Sequence, residues 1–167
     1  MQPRAVIIAG VNGAGKTTLA RRLLPKVYPD VEFLNADDIR LESPPFAHPL
    51  AAGRELLRRL EVRQRTGASF MIETTLSSPA FIRRMRSWRA SGYRLFLHFI
   101  QVPSAGFAVR RVAERVARGG HHVPEADIRR RFGRGPLFFE AAKPLVDEWY
   151  HWFAETGGLH VAEYERK

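Results

Sequence analysis

Gly10-Val11-Asn12-Gly13-Ala14-Gly15-Lys16-Thr17 sets glycines, a lysine and a hydroxyl at the spacing of a phosphate-binding loop. The glycines let successive main-chain N–H groups turn inward around an anion with no Cβ in the way. Lys16 can reach the outer phosphates, and the Thr17 hydroxyl can bind magnesium. Gly10, Asn12, Gly13, Ala14, Gly15, Lys16, Thr17 and Thr18 are therefore the candidate nucleotide-binding residues, with ATP and Mg2+ as the cofactors and Thr17 as the metal ligand. Two further places offer carboxylates, Asp37-Asp38 and Glu73. A carboxylate beside the loop could orient a magnesium-bound water or take a proton from an attacking hydroxyl. One of the aspartates could instead cap a helix opening at Ile39. Arg111, Arg115 and Arg118 recur on one helix face, and Arg129, Arg130 and Arg131 follow a Gly-Gly-His-His loop. Such arginines could neutralise charge on a transferred phosphoryl group, although a stripe of this kind also suits a solvated face. His121 and His122 have no third ligand close in sequence, so no zinc site is expected.

These groups need a scaffold that brings them to one edge. Val6–Ala9 is an apolar run too short for a helix, as expected of a strand buried on both faces. Leu19, Ala20, Leu23, Leu24 and Val27 then recur at helical spacing, so the loop has the strand–loop–helix context it requires, with the helix N-terminus facing the anion. Onward, the pattern alternates as in an α/β sheet. Glu32–Leu34 predicts a second strand, and Pro44, Pro45 and Pro49 break the chain. A helix is expected from about Ala51 to Arg65, a third strand over Ser69–Ile72 and a helix marked by Phe81, Ile82, Met85 and Trp88. A strand over Tyr93–Val102 and a helix marked by Val109, Val112, Ala113 and Val116 follow. After Arg118–Pro124 a short helix restarts, with Ile128 and Phe132 inward, Arg131 beside them and Arg130 pointing away. Trp149–Phe153 and Leu159–Tyr164 predict two strands around a Thr156-Gly157-Gly158 turn. Asp37 would lie just past the second strand and Glu73 just past the third, at the edge from which the phosphate loop springs. The two Arg-bearing helices around the Gly-Gly hinge describe a lid.

The 167 residues suit one domain, 1–167, with a lid at about 110–135. No apolar stretch approaches the ~20 residues of a membrane helix, so no membrane association is expected. The first strand begins almost at once, which leaves no room for a signal peptide. The chain has no cysteine, which suits a cytoplasmic protein and excludes disulfides and thiolate metal sites. The net charge is +10, but the basic residues are mostly arginine, spread along the chain without interleaved aromatics. A cleft for phosphate-rich small molecules explains that charge as well as nucleic acid does.

Four segments in order, GVNGAGKTT, LNADDIR, ETTLSS and RVAERVARGGHHVPEADIRRRF, resemble the zeta toxins and their small chromosomal relatives, over roughly residues 4 to 150. That resemblance implies an α/β P-loop NTPase fold of the nucleoside-monophosphate-kinase-like type, similar to chloramphenicol phosphotransferase. It would be a three-layer sandwich with a five-stranded, mainly parallel sheet and an Arg-rich helical lid. It implies an ATP-dependent kinase that phosphorylates a sugar hydroxyl of UDP-N-acetylglucosamine, and an antitoxin protein as a possible partner. By position, it makes Asp37 the catalytic base and Lys16 with Thr17 the holders of triphosphate and magnesium. Glu73, Thr75 and Arg111 would serve the substrate side. Arg115 and Arg131 would be the lid arginines that stabilise the phosphoryl group.

Some of these toxins carry an arginine after the ETT-like segment, where this chain has Ser77 and Ser78, so the small-molecule acceptor stays open. A polynucleotide kinase or another small-metabolite kinase would share the loop, the aspartate and the lid. A transporter ATPase subunit would need a Leu-Ser-Gly-Gly-Gln signature, and the chain offers only Leu76-Ser77-Ser78-Pro79.

Overall fold

The computed structural model describes residues 2–42 and 49–166. Pro44 and Pro45, expected to break the chain, lie outside the described residues. Strand β1 (Arg4–Gly10) leads through the glycine loop into helix α1 (Lys16–Val27), followed by β2 (Glu32–Leu34) and α2 (Ala36–Glu42). Helix α3 (Pro49–Thr66), β3 (Phe70–Thr74), α4 (Pro79–Ala90) and β4 (Arg94–Gln101) come next. Helices α5 (Ala105–Ala117) and α6 (Glu125–Ala142) precede a 3-10 turn at Lys143–Leu145 and a hairpin of β5 (Glu148–Glu155) and β6 (Gly158–Arg166).

The strands form one sheet in the order β2-β3-β1-β4-β5-β6, parallel except for the antiparallel β5–β6 pair. The sheet has the six strands that the sequence pattern outlined, one more than the five the resemblance implied, the extra one being the antiparallel β6 on the outer edge. All five parallel strands end at the same edge, and that edge carries the loops that matter here.

β1 is central and its residues alternate between two cores, as a period-2 strand covered on both sides must. Ala5, Ile7 and Ala9 pack with Phe70, Met85, Trp88 and Leu97 under α3 and α4. Val6 and Ile8 pack with Leu19, Ala20, Val112 and Ile128 under α1 and α5. Helix α6 belongs to both: Ile128 lies in the second core, and Phe139 and Ala142 lie in the first. It crosses the functional edge of the sheet from one face to the other.

This helix is the main departure from expectation. A short helix was expected after Pro124, and Gly133, Gly135 and Pro136 are residues that ordinarily weaken or break a helix. The structure runs it for 18 residues with Pro136 inside it. Gly135 is buried against the sheet, where a methyl added to it would stand 3.4 Å from the Phe99 ring, close to ordinary contact. Burial of Phe139 and Ala142 outweighs the local cost of the glycines.

Candidate active site

The phosphate loop is shaped by what surrounds it. Gly13 and Gly15 have φ of 81° and 95°, in the left-handed region that favours glycine. A Cβ at Gly10 would fall 2.6 Å from the Ile100 carbonyl oxygen, and one at Gly13 would fall 2.8 Å from that of Ala108. The loop is thus clamped between β4 and α5. Gly10 and Ala14 underlie it, Ala14 being fully buried, whereas Asn12, Gly13, Gly15, Lys16, Thr17 and Thr18 line the cleft above.

That cleft has a volume of about 1020 Å³. Lys16 Nζ donates to the carbonyls of Gly10 and Val11 at 2.9 and 3.0 Å. Burial lowers its pKa to about 8; Glu73 and Asp37 oppose the shift, and Arg115 and Arg131 add to it. Thr17 Oγ1 donates to Glu73 Oε2 at 3.1 Å. Burial raises the Glu73 pKa, against the opposing pull of Lys16 and the Thr17 hydrogen bond. A hydroxyl and a carboxylate side by side form a hard oxygen donor set, the chemistry that suits magnesium. Among the described residues no group of three or more His, Asp or Glu side chains gathers as a metal cage.

Glu73 lies within β3, paired with Ile8, and not beyond the strand as its sequence position had suggested. Asp37 is one residue inside α2, exposed to the cleft, with Arg40 Nη1 at 3.8 Å. The expectation that one of the two aspartates caps this helix is overturned. The cap is Asn35, whose Oδ1 accepts from the Asp37 N–H at 2.8 Å, and α2 starts at Ala36 and not near Ile39. Asp38 instead faces Arg21 at 3.4 Å. Asn35 was missed by the sequence reading. It is buried, and its Nδ2 also reaches Glu73 Oε1 at 3.4 Å, so one amide joins the helix cap to the strand carboxylate.

Thr75 lines the same end of the cleft, and its hydroxyl is 2.9 Å from that of Ser77. Between them Leu76 is fully buried and has φ 45°, unusual for a residue with a Cβ. Its N–H donates to Thr74 Oγ1 at 3.0 Å, which holds the turn.

Arg111, Arg115 and Arg118 all line the cleft while Val112 faces the core. Arg111 lies over the Phe107 ring at 5.6 Å. Arg115 Nη2 donates to the His121 carbonyl at 2.7 Å, and its buried Nε has no partner among the described residues. Arg131 is outside the cleft lining but reaches the loop, with Nη1 donating to Asn12 Oδ1 at 2.9 Å. Arg130 turns away to Asp127 at 2.6 Å, as expected. Two lining residues had no local signal: Glu155 and Thr156, at the tip of the β5–β6 hairpin. They arrive because β5 is parallel to β1 and ends at the same edge.

Fold and cleft together describe a P-loop domain of the kinase-like kind. The chain belongs to the AAA domain family AAA_33, whose pattern matches residues 6–132. It is 28% identical over 135 residues to an uncharacterized protein of Haemophilus influenzae, covering 79% of this chain and 94% of that one. The fold is also that of the PezAT chromosomal toxin–antitoxin system of Streptococcus pneumoniae, with a TM-score of 0.71 at 16% identity over 98% of this chain and 72% of that chain. The AvrRxo1-ORF1:-ORF2 complex with ATP is similar as well, with a TM-score of 0.70 at 18% identity over 98% of this chain. The present chain spans 58% of that protein's length. Among the described residues no helix is long and apolar enough to cross a membrane.

Proposed function

We propose that this protein is an ATP-dependent kinase of the zeta-toxin-like type, transferring the γ-phosphate to a hydroxyl of a small molecule. One observation carries the reading. The loop lysine, the carboxylates of Asp37 and Glu73, and the guanidinium of Arg115 face one cleft, and Arg131 reaches its phosphate loop from a distant helix.

In this reading the N–H groups of Asn12 through Thr18 cradle the triphosphate, and Lys16 leaves the Gly10 and Val11 carbonyls to reach its outer oxygens. Thr17, with Glu73 beside it, would hold magnesium, which supplies positive charge between the outer phosphates. Asp37 takes the proton from the acceptor hydroxyl as that oxygen bonds to the γ-phosphorus, while the bond from phosphorus to the β–γ bridging oxygen breaks and ADP leaves with its electron pair. Arg115 and Arg131 neutralise charge on the transferred group. Arg111 faces the cleft from α5 and serves the substrate side. Thr75 and Glu73 form the acceptor wall, with Asn35 holding Glu73 in place. A nucleotide sugar such as UDP-N-acetylglucosamine is the first acceptor to test, on the strength of the four resembling segments. A protein antitoxin is the corresponding partner.

The test is transfer from radiolabelled ATP to a panel of nucleotide sugars, amino sugars and oligonucleotides. Label on a small hydroxyl compound supports the proposal. Label only on oligonucleotide ends, with binding that weakens steeply with salt, would make it a polynucleotide kinase instead.

A further inference from the structure

We infer that Asn12 is a positioning residue that aims Arg131 at the transferred phosphoryl group, an inference that rests on the kinase reading above. The two lid arginines are held differently. Arg115 is bonded to the carbonyl of His121, within the lid's own loop, and so travels with that loop. Arg131 is bonded to the Asn12 side chain, in the phosphate loop itself, across 119 residues of sequence. Its other neighbour, Asp127 Oδ2, stands off at 3.9 Å.

Both ends of this connection are fixed. Ile128, nearly one turn before Arg131, is buried in the core. Gly13, next to Asn12, is pressed so closely on α5 that a Cβ would fall 2.8 Å from the Ala108 carbonyl oxygen. A guanidinium between two such anchors has little freedom left, and pre-ordering of that kind is what a charge-stabilising group needs.

The chemistry of the acceptor matters as much as its place. Guanidinium carries five N–H donors, and the amide oxygen occupies one of them. The remaining donors stay available for phosphoryl oxygens. A neutral amide leaves the positive charge whole, whereas a carboxylate at the same spot would cancel it and repel the phosphates. Asn12 therefore orients Arg131 without competing for its charge.

The experiment compares the affinity of the magnesium complex of ADP with that of ADP–aluminium fluoride, a planar phosphoryl mimic. It uses the wild type, Asn12→Ala, Arg131→Ala and the double variant. The preference for the mimic over ADP is the readout, because it isolates what Arg131 supplies. Asn12→Ala should cut that preference roughly tenfold in the wild-type background and not at all in the Arg131→Ala background. Asn12→Ser, whose shorter side chain cannot span to Arg131, should repeat the effect if alanine loosens the loop. An equal factor lost in both backgrounds would mean that Asn12 touches phosphate independently, and would overturn the inference. So would parallel losses for ADP and the mimic that leave the preference unchanged. A wild type that binds neither ligand overturns the kinase reading and takes this inference with it.

Discussion

At the scale of single residues, Lys16 sets the firmest expectation. Lys16→Ala should abolish phosphotransfer while leaving the fold intact, since the variant loses two bonds to the loop carbonyls but keeps the packing of Gly10 and Gly13 on β4 and α5. Equal transfer rates for variant and wild type would remove the loop from the mechanism. Lys16 also predicts a pH dependence. Its pKa is lowered to about 8 by burial, so the ammonium dominates below that value and is lost above it. Only the ammonium attracts phosphate, so ATP affinity should weaken as pH rises from 7 to 9. A flat titration by calorimetry would contradict the buried-lysine geometry. Asp37→Asn should depress turnover by about 10²–10⁴-fold with little loss of ATP affinity, because the amide keeps the shape but cannot take the proton. Asp38→Asn should leave both rate and stability nearly unchanged, since its partner Arg21 is exposed at 3.4 Å. The stability cost shifts to Asn35→Ala, about 1 kcal/mol for the cap, readable in the thermal midpoint. The loop was legible in the sequence because glycine spacing is a local property. Asn35 was not read, although an Asn before Ala-Asp-Asp has the form of a cap with acids in the first turn.

At the scale of elements, the segment Arg118–Pro124 is the one expected to respond to nucleotide. Gly119 has φ 85°, the two histidines are exposed, and Val123 is the first buried residue after α5. Hydrogen exchange across it should slow when a non-hydrolysable ATP analogue is added, and unchanged protection would make it a fixed turn. Gly120 ties that segment to the chemistry. A Cβ there would lie 2.5 Å from Arg115 Cγ and 2.8 Å from the Arg115 carbonyl oxygen. Gly120→Ala should therefore displace Arg115 and slow transfer about 10²-fold. Gly53→Ala is the contrasting change. Among the described residues nothing lies within 4 Å of its Cβ position in α3, so it should gain roughly 0.5–1 kcal/mol of stability by urea titration without altering the rate. Most elements were legible from periodicity, with ends off by a residue or two. The length of α6 was not, because its glycines and proline are local signals, whereas the burial that sustains the helix is tertiary. Glu155 and Thr156 were hidden for a related reason: only the strand order brings a hairpin tip into the cleft.

At the scale of the whole molecule, the sheet carries a histidine in its interior. His98 on β4 is buried, accepting from Trp152 Nε1 at 3.2 Å, with its other ring nitrogen 3.1 Å from the Tyr28 hydroxyl. With Nδ1 accepting, Nε2 carries the proton and donates to Tyr28. Burial lowers the His98 pKa to about 3, from an unfolded value near 6.5. Between those values the unfolded chain binds a proton that the folded one does not. Its share of stability is thus complete above pH 6.5 and falls as the pH drops, by up to about 1.4 kcal/mol per pH unit. The thermal midpoint of the wild type should fall more steeply between pH 6 and 4 than that of His98→Gln, and identical slopes would refute the assignment. The alternation of strands and helices foretold the α/β layers, yet nothing local foretold that one helix would join both of them. In the proposed kinase, helix α6 would link nucleotide and acceptor, since it runs past both of their sites. Arg131 engages the phosphate loop, and one turn later Gly135 faces the Thr75 backbone, a methyl built on it lying 4.0 Å from the Thr75 carbonyl oxygen. A shift of the helix toward phosphate is a shift of the wall. By reciprocity, whatever factor the nucleotide adds to acceptor affinity, the acceptor must return to the nucleotide.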